Sequence, residues 1–247
     1  MKIDEKKICV VLCGGKGTRM GSLTKKKPKP LLKVKNKPII WYVLKFLIKS
    51  GFNEFIFPLG YRGDQIRNFI KKEFSKNEIN FIFKKTGINS SIAKRIWSVN
   101  NMIPSNANFL LINSDTLVDF NINDMIKSHV TQNKLITLSY VDLKVKWGLI
   151  VKKKNELISF DRKRSISTLN IKNSPKLYGL INSGIAYINK YALSYSKKND
   201  SCFETALYSR IIKKKRLGIF KINGQWYPID TENDLNTINL KKNFNGI

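Results

Sequence analysis

Residues 10–32 read VVLCGGKGTRMGSLTKKKPKPLL. An apolar run ending in Gly14, Gly15 and Gly17 requires either a tight backbone turn or the close approach of a ligand to the main chain. Arg19 and a lysine-rich run broken by Pro28 and Pro30 follow directly, so a ligand approaching the turn is expected to be anionic. The rigid prolines would also hold Lys29 in place.

Spacing excludes two familiar phosphate loops. The dinucleotide fingerprint needs G-x-G-x-x-G, but Gly15 and Gly17 are followed by Thr18, Arg19 and Met20, with Gly21 one place late. The P-loop needs a glycine-lysine pair followed by Ser or Thr at a set distance from an earlier glycine, and this chain has none. A plain turn with a solvated lysine tail would account for the glycines, but not for Arg19 or the KPKP run.

Composition sets the outer bounds. The 247 residues, 42% of them hydrophobic, suffice for a large globular domain with a sizeable core. No apolar stretch approaches the roughly 18 residues that span a bilayer, and the leading MKIDEKK lacks a signal-peptide pattern, so a cytoplasmic protein without a membrane partner is expected. Cys9, Cys13 and Cys202 are too irregular for a disulfide framework or a thiolate metal site. With His129 the single histidine, imidazole metal clusters and Ser/His/Asp triads recede. The 46 Lys+Arg against 17 Asp+Glu give a net charge of +29, the footprint of a nucleic-acid binder. The lysines are spread along the chain, however, with no basic arm, zinc-finger spacing or RNA-binding aromatic signature, so compositional drift ranks ahead of a nucleic-acid partner.

Hydrophobic patterning alternates strand and helix. KICVVLC reads as a strand buried on both faces, and IIWYVLKFLIKSG carries Ile40, Val43, Leu44 and Leu47 at helical spacing before Gly51. FIFPLG reads as strand, Asp64 as the cap of a helix over QIRNFIKKEF, INFIF as strand, IAKRIWSVNNMI as helix and NFLLINSD as strand. This order predicts an α/β fold with a mixed, mainly parallel sheet and helices on both faces. Beyond residue 121 a helix over INDMIKSHV and shorter strands predict a β-rich, substrate-side extension over the sheet's carboxyl edge. One domain over 1–247 is expected, in two halves that divide at about residue 120.

GGKGTRM followed by KPKPLLKVKNKPII resembles the signature of the sugar-phosphate nucleotidyltransferases, the pyrophosphorylases that make nucleotide sugars. The similarity runs in the family's order through GFNEFIFPLGYRGDQIRNF, NSDTLVDFNINDMIKSH, WGLIV, LISFDRK, INSGIAYIN and NGQWYPIDTENDL. Within the family, KPKP, GYRGDQI, TGINSS and FE are most similar to glucose-1-phosphate cytidylyltransferases. The resemblance implies a Rossmann-like, glycosyltransferase-A-like fold and a Mg²⁺-dependent reaction of a nucleoside triphosphate, CTP first, with a sugar 1-phosphate to give a nucleotide sugar for surface polysaccharide and pyrophosphate. A guanylyl- or uridylyltransferase acting on a heptose or hexose phosphate is the alternative within the class, and a basic nucleic-acid-binding protein the alternative outside it. Relatives that act as oligomers imply a homo-oligomer, with no interface legible in the sequence.

Site residues carry over position by position. The resemblance implies nucleotide contacts from Leu12, Gly14, Gly15, Gly17, Thr18, Arg19, Thr86 and Asp115, with Arg19 and Lys29 as the catalytic cations. Amides of the glycine loop can form a nest for phosphates, whereas Lys25, Lys26, Lys27 and Lys33 have no matching role. Asp115, just after a strand, and Asp230 are the implied Mg²⁺ ligands. Their plainer readings are a turn cap for Asp115 and, around Asp230, a capping pair of Thr231 and Asp234. On the sugar-phosphate side the implied residues are Gly148, Asp161, Lys163, Asn182 and Gly184, with Ser183, Glu204 and Trp226 near the same pocket. The family's Glu-Lys-Pro is replaced here by Asp161-Arg162-Lys163-Arg164, and the paired glycines of cytidylyltransferases are missing near Ala93.

Overall fold

Strand β1, Ile8–Leu12, is buried from Ile8 to Val11, and its side chains alternate between two separate cores: Cys9 and Val11 enter one, Ile8 and Val10 the other. A strand with two apolar faces must be covered on both, which is the arrangement of a parallel sheet between helical layers. The computed structural model describes residues 6–75, 78–144, 149–153, 156–161, 165–166, 169–171 and 174–241, from 143 to 179 the backbone alone.

The succeeding elements are α1 (Ile39–Lys49), β2 (Glu54–Leu59), α2 (Gly63–Glu73), β3 (Asn80–Lys85), α3 (Ile92–Val99), β4 (Asn108–Asn113), β5 (Thr116–Asp119), α4 (Ile122–Thr131) and β6 (Ile136–Val141). After them come β7 (Ile181–Asn189), α5 (Phe203–Lys213), β8 (Leu217–Lys221), β9 (Gln225–Pro228) and α6 (Glu232–Leu240). The central sheet has seven strands in the order β8-β6-β7-β4-β1-β2-β3, mixed and mainly parallel, with β7 alone antiparallel to its neighbours. One core joins α1, α2, α4 and α6 to the sheet and the other joins α3 and α5, so helices cover both faces. Phe55 and Phe57 of β2 are fully buried, each worth roughly 2–3 kcal/mol of transfer free energy.

Two expectations change. Strands expected to lie over the carboxyl edge, around residues 136–141 and 181–189, belong to the central sheet itself; hydrophobic alternation marks a strand but does not name its partner. Among the described residues between Leu143 and Gly179, three two-stranded antiparallel pairs are separate from that sheet, Leu149–Lys153 with Glu156–Asp161 among them. Asp64 does not cap α2: Arg62 holds the N-cap position in left-handed backbone, φ 49°, without a side-chain cap. Asp64 sits in the first turn, where its charge suits the helix dipole, and pairs with Arg67 and Lys85. Among the described residues no helix is long and apolar enough to cross a membrane.

The register of the sheet builds the site. Leu12 of β1 lies opposite Asn113 of β4, and Ser114 N–H donates to Leu12 O at 3.1 Å, so the glycine loop and the Ser114-Asp115 turn leave the sheet side by side. Strand β5 then pairs antiparallel with β9, Thr116 opposite Pro228, and Ile229 N–H donates to Asp115 O at 3.0 Å. That pairing carries Asp230 to Asp115.

Candidate active site

At the carboxyl ends of β1 and β4 opens a cavity of about 900 Å³. Its first wall is residues 12–19. Gly17 takes φ +66°, a left-handed turn that glycine adopts without strain, and precedes a short 3₁₀ turn that presents Thr18 and Arg19. Among the described residues no acceptor takes the amides of Gly14, Gly15 or Gly17, which leaves them available to an anion in a wall that would otherwise have to satisfy them.

Cations and carboxylates meet at the cavity floor. Pro28 and Pro30 are buried and Leu31 N–H closes a turn on Pro28 O at 2.9 Å, which turns Lys29 inward while Lys25, Lys26, Lys27 and Lys33 stay exposed. Lys29 is only 8% exposed. Its Nζ donates to Asp115 Oδ2 at 2.6 Å and to Asp230 Oδ1 at 3.0 Å, and Arg19 Nη1 donates to Asp230 Oδ2 at 3.0 Å. Two positive and two negative side chains thus neutralise one another at one point. The capping reading of the neighbouring residues holds as well: Thr231 Oγ1 accepts from Asp234 N–H at 3.2 Å while Asp234 Oδ2 accepts from Thr231 N–H at 2.9 Å. The box is what starts α6 there and leaves the Asp230 side chain free to face the cavity.

Across the cavity stand Asn182, Ser183 and Gly184 of β7, Glu204 of α5 and Trp226 of β9. The register between β7 and β6 shifts between Asn182 and Ala186, a bulge in which Gly184 takes φ +81°. A side chain at Gly184 would bring its Cβ to 2.7 Å from Asn113 Nδ2. Trp226 Nε1–H donates to Ser183 O at 2.9 Å, so packing and cavity lining are one role for that ring. Burial pushes the Glu204 carboxyl above its ordinary range.

Leu12, Gly14, Gly15, Gly17, Thr18, Arg19, Lys29, Asp115, Asn182, Gly184 and Asp230 therefore line one cavity. Thr86 lies behind that wall, donating to Leu59 O at 2.8 Å and accepting from Arg95 Nη1 at 2.5 Å. Gly148 and Lys163 lie outside the described residues, and Asp161 is described only as a strand residue opposite Leu149. The sequence marked the TGINSS segment without naming Ile88 to Ile92 as contacts and missed Arg95, and all of these also line the cavity. An arginine beside Ala93, Ile96 and Val99 on a helix with an apolar face was the available signal.

Fold and site define an α/β protein with paired cations and carboxylates beside a glycine loop at the carboxyl edge of its sheet. Residues 8–243 match the model of a family described as nucleotidyl transferase, and the chain belongs to that family. It is 29% identical to the probable glucose-1-phosphate cytidylyltransferase of Bacillus subtilis (strain 168), over 93% of this chain and 94% of the relative. It is 26% identical to the mannose-1-phosphate guanylyltransferase catalytic subunit beta of Drosophila melanogaster, over 92% of this chain and 60% of that one. Among solved structures, a UDP-glucose pyrophosphorylase from Acinetobacter baumanii shares the fold with a TM-score of 0.70 at 14% identity, covering 95% of this chain and 92% of that one.

Proposed function

We propose that the protein joins CTP to a sugar 1-phosphate resembling glucose 1-phosphate, releasing pyrophosphate and a nucleotide sugar that serves as a cytoplasmic precursor of surface polysaccharide. The observation that carries the reading is the convergence of Lys29, Arg19, Asp115 and Asp230 beside a glycine loop with unused amides. Likeness along nearly the whole chain to a probable glucose-1-phosphate cytidylyltransferase supports the choice of base and sugar.

In the reaction a phosphate oxygen of the sugar 1-phosphate forms a bond to the α-phosphorus of the triphosphate while the bond to the β-phosphate oxygen breaks, and pyrophosphate leaves with that electron pair. No covalent enzyme intermediate is required, so the protein acts by placement and by charge. The glycine-loop amides receive phosphate oxygens, and Arg19 offers a planar fork to the phosphate chain. Lys29 stands over both carboxylates as a compact charge and neutralises the oxygens that gain charge during transfer. Asn182 and Glu204 face the sugar with polar groups, and Trp226 closes that side with a ring.

The residues fit Mg²⁺. Among the described residues no cluster of three or more metal-ligating side chains occurs, and two partly exposed carboxylates facing a phosphate cavity are what a cation that completes its shell with phosphate and water requires. Asp115 and Asp230 would hold it, and it would supply charge neutralisation to the phosphate chain.

Pyrophosphate release measured for each of the four ribonucleoside triphosphates with glucose 1-phosphate and mannose 1-phosphate tests the reading. CTP with glucose 1-phosphate should be the fastest pair, and a maximum with GTP and mannose 1-phosphate would move the assignment to a guanylyltransferase. Asp115→Asn and Asp230→Asn should each lose about 100-fold or more in turnover without unfolding; wild-type rates in both would overturn the metal assignment.

A further inference from the structure

The reaction just described leaves one buried cation of the cavity wall without a part. Arg95, on α3, is 4% exposed and faces no carboxylate among the described residues. Burial pulls its guanidinium below its ordinary range. What holds the group is a ring of neutral acceptors: Nη1 donates to Thr86 Oγ1 at 2.5 Å, and Nη2 donates to Gly14 O at 2.9 Å and to Ile88 O at 3.2 Å. Those acceptors belong to the glycine loop and to the segment after β3, which the guanidinium thereby ties together. Removing a cation from water without a counter-ion is expensive, and three dipoles offset only part of the cost.

The glycines report the same placement. A Cβ on Gly14 would lie 2.2 Å from Arg95 Nη1 and 2.4 Å from Cζ, and every atom it would meet most closely belongs to that guanidinium. A Cβ on Gly60 would lie 2.3 Å from Nη1 and equally 2.3 Å from Gly14 O. Gly14 does not occupy left-handed backbone, so its lack of a side chain answers to Arg95 and not to a turn.

We propose that Arg95 is a positioning residue for the phosphate chain: together with the Tyr61 N–H, which also donates to Gly14 O at 3.0 Å, it fixes the Gly14 carbonyl, so that the following amides point into the cavity, and it keeps an uncompensated positive charge in the wall that a polyphosphate enters. This inference rests on the reading that the glycine loop receives a triphosphate. Thr86, implied by resemblance as a nucleotide contact, then acts through Arg95.

Calorimetric titration with the Mg²⁺ complexes of CTP and of inorganic tripolyphosphate, which has the phosphate chain without base or ribose, tests it on the wild type and on Arg95→Lys, Arg95→Gln, Arg95→Ala, Gly14→Ala and the Gly14→Ala/Arg95→Ala double variant. Arg95→Gln should weaken both probes alike, by about tenfold or more. Arg95→Lys should recover little of that, since an ammonium cannot span three fixed acceptors. In steady-state pyrophosphate release the KM for CTP should rise while the KM for glucose 1-phosphate stays within about twofold. Gly14→Ala alone should lose affinity comparably, and the double variant should bind no worse than Arg95→Ala, because the added methyl then meets no guanidinium.

Wild-type affinity for tripolyphosphate in folded Arg95→Gln overturns the proposal, as do losses that add in the double variant. A lowered melting temperature with unchanged affinity would assign Arg95 to stability alone and overturns it too. If the Arg95 variants do not fold, Gly14→Ala decides: wild-type affinity there counts against the proposal and a loss supports it. A wild type that binds neither probe removes the triphosphate reading itself, and this inference with it.

Discussion

Lys29 reaches Asp115 and Asp230 at 2.6 and 3.0 Å from a position that is almost closed to solvent, whereas Lys25 and Lys26, a few residues earlier, point outward. Placed and diffuse charge should therefore separate cleanly. Lys29→Ala is expected to lower kcat/KM about 100-fold, equivalent to about 2.7 kcal/mol, and Lys29→Arg should recover little because a broad fork does not fit where a compact ammonium sits. Neutralising Lys25 and Lys26 should cost little, and only at low salt, where surface charge is weakly screened. If all three positions respond alike and the losses vanish with salt, the run is an electrostatic patch. The contrast was legible in the sequence, because two prolines flank Lys29 and none flanks Lys25 or Lys26. Arg95 was not legible in the same way. It follows Lys94 in a chain with 46 Lys+Arg, its apolar neighbours hint at burial without naming a partner, and its bond to the Gly14 carbonyl 81 residues away leaves no local pattern.

The loops that line the cavity are held by residues that do not line it. The turn leading into α2 clamps the lysine-rich loop: Tyr61 Oη donates to Thr24 O at 2.8 Å, and Arg62 Nη2 donates to Lys25 O at 2.7 Å. Left-handed backbone at Arg62 accompanies that reach, and a non-glycine residue adopts it at a cost. The GYRGDQI stretch thus has a mechanical reason to accompany KPKP. Tyr61→Phe deletes the hydroxyl and strands the Thr24 carbonyl, while Lys25 O keeps its Arg62 donor, a loss of roughly 1 kcal/mol. It should raise the rate of tryptic cleavage between Lys25 and Lys27 several-fold and lower kcat by a smaller factor, with wild-type cleavage counting against the clamp. None of this was readable from periodicity, since a tyrosine hydroxyl that grips a carbonyl 37 residues away leaves no local pattern.

Across the whole molecule, the single histidine links the sheet to acid stability. His129 is buried, its Nδ1 lies 2.9 Å from Thr137 Oγ1, and burial, assisted by the charge of Arg216, pulls its pKa down to about 4. The unfolded chain accepts that proton near pH 6.5 while the native state refuses it until about pH 4, so stability is full above pH 6.5 and falls as pH drops through that window. The loss approaches about 3 kcal/mol at the acid end. Urea unfolding at pH 7.5 and pH 5 should show it, and His129→Gln should be the less pH-dependent protein over the same interval; equal slopes would reject the assignment. Sequence alone determined the α/β class, the positions of most strands and helices, the glycine turn and the inward placement of Lys29 between two prolines, because each is written in local periodicity, proline and glycine placement or short-range resemblance. Tertiary structure decided which strands share the sheet, that β5 and β9 pair so as to bring Asp230 to Asp115, and that Arg95 stands behind the glycine loop. Those facts depend on pairing between segments far apart in the chain, where the free energy comes from contacts that form only once the backbone has closed and no residue carries the name of its partner.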